Sequence, residues 1–377
     1  MMENILVTGG AGFIGSHLTE ELFHRGYQVR IFDKLSPQVH GAKAKLPECL
    51  EGKAEFIRGD IRNKKQVEEA ISGADAIVHL AAETGVGQSM YQVTRYTDVN
   101  VKGSAVLIDT IISSRRNLRK IILASSRSVY GEGKYQCQNC GVVYPEPRLD
   151  ENLRSKQWEM HCPTCGDNIE PMPTDEDSLL KPKSVYAITK QAQEQMFLVM
   201  GRAYQIPVVV LRYFNVYGPR QSLNNPYTGI LSIFSSRIIN GKPPLIFEDG
   251  AESRDFVHVR DTVTATILAL EKNEADNEIF NVGSGERTTV LQIADLLVEK
   301  LGSSAKPVLT GKYRVGDIRH CYANLKRVNS KLGYQPCYNI EEGISDFITW
   351  VKEQEKVIDL SDKANKELME RKLLRQM

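Results

Sequence analysis

The chain of 377 residues is predicted to be an α/β protein, with a doubly wound parallel sheet, a smaller lobe interleaved with it and a small cysteine-bearing insertion. Three observations predict this. Short apolar runs alternate with helical patterns from the N-terminus to about Leu211, as strands joined by crossover helices do. A glycine-rich turn joins the first apolar run to the first helical pattern. Beyond about Pro219 the alternation loosens into Gly241-Lys242-Pro243-Pro244 and Gly283-Ser284-Gly285, as expected of a lobe that closes over a ligand. With 41% hydrophobic and 25% charged residues, the chain can bury a large core in one large or two smaller domains.

The elements follow in order. Asn4 to Thr8 reads as a strand and Ser16 to Arg25 as the helix after the turn; Gln28 to Phe32 is the second strand and ends at Asp33. Glu55 to Arg58, Ala76 to Leu80, Lys120 to Ala124 and Val208 to Leu211 are further strands, separated by helical patterns such as Lys64 to Ile71 and Ser184 to Tyr204. The ligand of such a sheet lies beyond the carboxyl ends of its strands, where Asp60, Ala81, Ala82, Ser125 and Ser126 fall. The charge-rich stretch from about Glu353 to Met377 suits a peripheral helix or a partly mobile tail. The expected division is 1–218 with 255–285 for the sheet domain, 132–178 for the insertion, 219–254 with 286–352 for the smaller lobe and 353–377 for the tail.

Gly9, Gly12 and Gly15 form a Gly-x-x-Gly-x-x-Gly turn between strand and helix, a variant of the Rossmann dinucleotide fingerprint. Glycines there permit a tight turn and close approach of a pyrophosphate to the backbone. Asp33, about 20 residues further on, can hold ribose hydroxyls and would repel a 2′-phosphate, which favours NAD over NADP although Lys34 stands beside it.

Tyr186 and Lys190 stand four residues apart on a helical pattern, so both side chains share one face. The ammonium is expected to lower the phenol's pKa, fitting the tyrosine to exchange a hydroxyl proton while a nicotinamide exchanges hydride. Alone, the pair also reads as a surface aromatic beside a solvated lysine.

Cys137-Gln138-Asn139-Cys140-Gly141 and Cys162-Pro163-Thr164-Cys165-Gly166 are two Cys-x-x-Cys knuckles, each followed by glycine and separated by 21 residues. Four thiolates suit a structural, tetrahedral zinc ion in a zinc-ribbon-like fold, with no open position for catalysis. Disulfides or a redox pair are the other readings, the former disfavoured in a reducing compartment. Cys49, Cys321 and Cys337 carry no spacing signal.

Nearly the whole chain outside the insertion resembles the extended short-chain dehydrogenases/reductases of the nucleotide-sugar epimerase and dehydratase branch. The matching pieces are the glycine turn, Gly59-Asp60-Ile61-Arg62, His79-Leu80-Ala81-Ala82, Asn100, Ser125-Ser126-Arg127-Ser128-Val129-Tyr130-Gly131, Tyr186 with Lys190, and Arg212-Tyr213-Phe214-Asn215-Val216-Tyr217-Gly218-Pro219-Arg220. The resemblance implies Ser126, Tyr186 and Lys190 as the catalytic set. It implies NAD held by Gly9, Gly12, Phe13, Ile14, Gly15, Asp33, Asp60, Ile61, Leu80, Ala81, Ala82, Asn100 and Tyr213 together with Tyr186 and Lys190. Glu83, Arg127, Ser128, Asn215, Arg220, Arg254 and the pair Arg314 and Asp317 would meet the substrate, the last three gripping a nucleotide diphosphate. Relatives pair helices such as those around Gln92 to Arg116 and Ser184 to Tyr204 across a homodimer, which is expected here.

In the dehydratases of this branch a carboxylate follows the catalytic Ser/Thr; here Ser126 is followed by Arg127 and Ser128. Without that acid a 4,6-dehydratase or glutamate-dependent decarboxylase is disfavoured, and a 4-epimerase remains. The cysteine-rich insertion, Thr84-Gly85-Val86-Gly87-Gln88-Ser89 and Gln221-Ser222-Leu223-Asn224-Asn225-Pro226-Tyr227 are similar to the 4-epimerases that act on dTDP-L-rhamnose. UDP-glucose or UDP-N-acetylglucosamine 4-epimerases and 4-keto-sugar reductases stay open, as does a nucleotide-sensing scaffold that holds a partner through its zinc ribbon. A net charge of +1 gives no reason to expect nucleic acid or an anionic membrane. Met1-Met2-Glu3-Asn4 opens no signal segment and no stretch reaches membrane-spanning length, so a cytoplasmic protein is expected.

Overall fold

The computed structural model of the protein describes residues 3–41, 44–114, 118–227 and 229–376. Its central sheet has seven parallel strands in the spatial order Ile279–Val282, Val208–Tyr213, Lys120–Ser126, Ala76–His79, Asn4–Thr8, Gln28–Asp33, Glu55–Arg58. Parallel pairing requires crossover helices, which cover both faces. Alternate residues of one strand therefore enter different cores: Ile5, Val7, Val78, Ile122 and Val209 lie in one apolar layer, Leu6, Ile77, Ile121, Val208 and Val210 in the other. The winding reverses between Asn4–Thr8 and Ala76–His79, which opens a crevice at the carboxyl ends of these strands.

Several boundaries differ from expectation for physical reasons. The first helix starts at Phe13, ahead of the expected Ser16, because the glycine turn feeds it directly. The strands expected to end at Ala124 and Leu211 run on to Ser126 and Tyr213. Polar Ser125 and Arg212 read as strand ends, yet buried Glu194 accepts from both, from the Ser125 hydroxyl at 2.5 Å and from Arg212 at 2.8 and 3.0 Å. The helical stretch expected over Gln92 to Arg116 comprises Val93–Tyr96, a π-helical turn Thr97–Lys102 and Gly103–Ser114; Arg115 and Arg116 lie outside the described residues.

The smaller lobe packs helices Ile230–Ile239, Val290–Leu301 and Ile340–Lys352 around Phe234, Ile293, Leu297 and Phe347. Two of these helices open with capping boxes, Thr289 with Gln292 and Asn339 with Glu342. The charged C-terminal stretch forms helix Ser361–Glu370 and then strand Leu374–Arg375, which pairs antiparallel with Tyr313–Arg314. This strap touches both halves of the molecule: Glu367 accepts from the hydroxyls of Tyr91 at 3.1 Å and Tyr227 at 2.6 Å.

The insertion has its own three-stranded antiparallel sheet, Gly141–Val143, Lys134–Cys137 and Glu170–Met172, and its own core of Tyr135, Val143, Met160 and Ile169. Arg148 fastens it to the smaller lobe by a buried, bidentate pair with Glu248 at 2.6 and 2.8 Å. Arg319 reinforces the seam by donating to Asp249 at 2.7 and 2.9 Å and to Glu159. Among the described residues no helix is long and apolar enough to cross a membrane.

Candidate active site

One cavity of about 620 Å³ runs from the glycine turn, past Tyr186, to the C-terminal strap. At its first end the backbone is bare by necessity. Gly9 has φ +74°, and a Cβ there would stand 2.8 Å from the Ala81 nitrogen; a Cβ on Gly15 would stand 2.3 Å from the Gly9 oxygen. No side chain caps helix Phe13–His24 at Gly12, so its first-turn N–H groups stay available to a phosphate. Asp33 lines the same wall, its carboxylate oriented by the N–H groups of Ala11 at 3.2 Å and Leu35 at 2.8 Å. Phe13, Ile14, Ile61, Leu80, Ala81, Ala82 and Tyr213 also line the cavity. These residues fit a dinucleotide.

Two residues expected to touch the cofactor stand elsewhere. Asn100 is buried and its amide is fully engaged, donating to the Glu83 carbonyl at 3.1 Å and Thr189 at 3.0 Å and accepting the Glu83 N–H at 2.8 Å. It therefore ties the loop after Ala76–His79 to helix Val185–Tyr204 instead of lining the cavity. Asp60 borders a smaller neighbouring cavity, and its carboxyl is held below the usual range by Arg62, which donates at 2.7 and 2.9 Å.

Tyr186 and Lys190 share the cavity-facing side of helix Val185–Tyr204, whose N-terminus is capped by Ser184 accepting from Ala187 at 3.1 Å. The Tyr186 backbone N–H donates to Ser89 at 3.0 Å, and Ser126, at the end of strand Lys120–Ser126, lies close enough to the phenol to pull its pKa down. Lys190 donates to the Ala124 carbonyl at 2.9 Å, and burial pulls its pKa down to about 8 against the pull of Glu194. One expectation is corrected here. Burial raises the Tyr186 phenol, and the groups that pull it back are Ser126 and then the Arg127 guanidinium, not Lys190.

Beyond Tyr186 the walls turn cationic. Arg127, Arg254 and Arg314 line the cavity with Ser128, Asn215, Glu83 and Asp317. Arg254 is partly spent on the wall itself, donating to the carbonyls of Ser253, Arg319 and Ile318 and to Asp317 at 3.1 Å. Glu83 is held by Lys34 at 2.9 Å and Arg95 at 2.7 Å. Arg314 lies over the Phe247 ring at 4.6 Å. Its Nε, the Asn215 Oδ1 and the Ser128 Oγ are buried with no partner among the described residues, a cost that a bound ligand would remove. Burial, then Arg254, brings the Arg127 guanidinium down to about 10. Arg220 is not part of this group: its guanidinium pairs with Glu20 of the first helix.

The sequence reading missed Glu252. Its carboxyl lines the cavity, and burial, then neighbouring Glu248, pushes it up to about 7. Its place two residues before Arg254 was the available signal. It also missed Phe247 and the strap residues Ser361, Ala364, Asn365 and Leu368, which lie far along the chain from every motif.

The sulfur atoms of Cys137, Cys140, Cys162 and Cys165 lie within 4.8 Å of one another, with Cys137 and Cys165 3.5 Å apart and all four thiols free. Sulfurs about 2.3 Å from a tetrahedral zinc ion are about 3.8 Å apart, so the cluster fits one such ion. Gly141 at φ +75° and Gly166 at φ +81° supply the left-handed turn that each knuckle needs.

Known proteins place this arrangement. The NAD dependent epimerase/dehydratase family matches residues 5–147 and 162–283. The chain is 37% identical to dTDP-L-rhamnose 4-epimerase of Burkholderia thailandensis over 358 residues, covering 93% of this chain and 96% of that protein. Among solved structures, UDP-glucose 4-epimerase of Thermotoga maritima with UDP-glucose superposes with a TM-score of 0.76 at 34% identity, covering 93% and 98% of the two chains. UDP-glucuronic acid 4-epimerase of Bacillus cereus, in complex with UDP-glucuronic acid and NAD, gives 0.76 at 27% identity over 93% and 99%. With its glycine turn, its Ser126, Tyr186 and Lys190 cluster and these matches along most of its length, the chain belongs to the NAD dependent epimerase/dehydratase family and is an enzyme.

Proposed function

We propose that this enzyme is a nucleotide-sugar 4-epimerase that interconverts dTDP-L-rhamnose and dTDP-6-deoxy-L-talose. The observation that carries the reaction type is the company kept by Ser126: its neighbours Arg127 and Ser128 offer no carboxylate to eliminate water from a sugar. In its phenolate form Tyr186 takes the proton of the 4-hydroxyl, to which Ser126 also hydrogen-bonds. Lys190 and the Arg127 cation keep the polar end of the cavity positive. The glycine turn and Asp33 would hold NAD, which when bound would supply the acceptor and donor for the C4 hydride. The 4-keto sugar turns within the cavity, Tyr186 gives its proton back, and no net oxidation results. Arg254 and Arg314 hold the diphosphate, so the sugar alone moves.

The dTDP-L-rhamnose assignment rests on the Burkholderia relative. UDP-glucose is the second reading, favoured by the Thermotoga structure. In the insertion the four cysteines hold one structural zinc ion. The enzyme works as a homodimer; exposed Ile188 and Val199 on helix Val185–Tyr204 suit that contact. Incubation with dTDP-L-rhamnose, without added cofactor, is expected to yield a second anomeric proton signal by NMR. If dTDP-L-rhamnose stays unchanged while UDP-glucose is epimerised, the rhamnose assignment is wrong; if neither these two nor UDP-N-acetylglucosamine changes, with NAD added, so is the epimerase reading.

A further inference from the structure

The C-terminal strap presents one face of a helix to the cavity. Ser361, Ala364, Asn365 and Leu368 recur at the helical spacing i, i+3, i+4, i+7, and all four line it. The opposite face, with Lys363, Lys366 and Glu370, is exposed. Both ends of the helix are fixed. Arg237 donates to Ser361 at 2.8 Å and Asp362 at 2.5 Å, and Lys242 to Asp359 at 3.0 Å. Near the other end Glu367 joins Tyr91 and Tyr227. The following strand then pairs with Tyr313–Arg314, which sets Leu374 opposite Arg314.

The strap therefore closes the cavity next to the arginine proposed to hold the diphosphate. The surroundings there are apolar and partly aromatic: Phe234, Leu245, Phe247, Leu368 and Leu373 line the cavity. Such walls suit a planar heterocycle. Among the strap's four cavity-facing residues, Ser361 is occupied by Arg237 and by Asp359 at 2.5 Å, whereas Asn365 has no hydrogen-bonded partner among the described residues. A primary amide carries one acceptor and two donors side by side. The imide edge of thymine or uracil offers an N3–H donor flanked by carbonyl acceptors, the complement of that amide.

We propose that Asn365 is a specificity-determining residue that reads the imide edge of the substrate's pyrimidine base, its carbonyl accepting the N3–H and its NH₂ donating to a flanking carbonyl. This rests on the nucleotide-sugar reading above, but it is tested without turnover. The probes are dTDP and N3-methyl-dTDP, titrated calorimetrically into full-length enzyme saturated with NAD. For the wild-type enzyme, N3-methylation is expected to weaken binding about tenfold, the worth of a lost hydrogen bond with its partner left unpaired. Asn365→Ala is expected to lose about as much for dTDP and to be nearly indifferent to methylation, as coupled partners are in a double-mutant cycle. Lys366→Ala, on the exposed face, keeps the wild-type affinities. Asn365→Ser takes the place of the alanine variant if that one fails to give a cooperative melt. The proposal falls if the Asn365 variant binds dTDP within about twofold of wild type, or if methylation costs the same in both. An enzyme that binds dTDP in this way yet turns over no sugar would sink the epimerase reading alone.

Discussion

The Tyr186 cavity and the four-cysteine insertion both rest on polar residues at short spacing, yet they engage their charged side chains to different degrees. In the cavity, Arg314 Nε, Asn215 Oδ1 and Ser128 Oγ stay buried and unpaired. In the seam that fastens the insertion, the Arg148 and Arg319 guanidinium groups are spent on Glu248, Glu159 and Asp249, with the Arg148 Nε left over among the described residues. Unpaired buried groups cost stability and are kept where a ligand completes them; paired ones serve the fold. Residue type alone does not separate binding surface from scaffold, because arginines are prominent in both; ion pairing of the guanidinium is what distinguishes Arg148 and Arg319 from Arg314.

The strongest way to break this comparison is Tyr186→Phe. It should lower kcat by about 10² to 10⁴ with the melting temperature unchanged, and equal turnover by NMR assay would end the proposed mechanism. Arg148→Met should do the reverse, costing about 3 kcal/mol in chemical denaturation while the folded fraction keeps its kcat. That figure is at the low end because Arg319 still reaches Glu248 at 3.2 Å. Cys140→Ser should abolish stoichiometric zinc, expected at about one ion per chain by elemental analysis, and lower the melting temperature with less effect on turnover. A protein that carries no zinc when purified without chelator would refute the metal assignment. The subtlest effects concern charge. Arg127→Gln should move the alkaline-rising limb of the kcat/KM profile to higher pH, because that cation pulls the Tyr186 phenol down. Glu252 is neutral below about 7 and anionic above, so KM for a diphosphate substrate should rise as pH climbs through about 7 and flatten in Glu252→Gln.

Much of the sheet is legible in the sequence because buried parallel strands are continuous apolar runs. Ile121 to Ala124 and Val208 to Leu211 need no partner information to be recognised. Their ends were misjudged where Ser125 and Arg212 depend on Glu194, a residue on another element. The glycine turn and the Tyr186, Lys190 pair were readable because their chemistry is local. Arg220 was not, since its partner Glu20 lies two hundred residues away in the chain and draws it from the cavity. The strap was least legible: its cavity face has one large apolar residue, Leu368, so nothing in its pattern marks it as a wall. The direction of the Tyr186 shift also escaped, because burial, which a spacing argument does not see, outweighs any neighbouring cation.

Ser126 and Tyr186 meet in the wall of one cavity, yet the whole insertion lies between them in the chain. The reacting pair is thus the closed end of a loop of about sixty residues, and loop-closure entropy rises by only about 0.6 kcal/mol for each doubling of length. The detour is cheap at equilibrium and dear in time, because contacts between distant residues form slowly. If the proposed zinc ion gathers Cys137 with Cys165 first, it shortens the remaining search, and the rate at which activity returns after refolding should then depend on zinc even where the final yield does not.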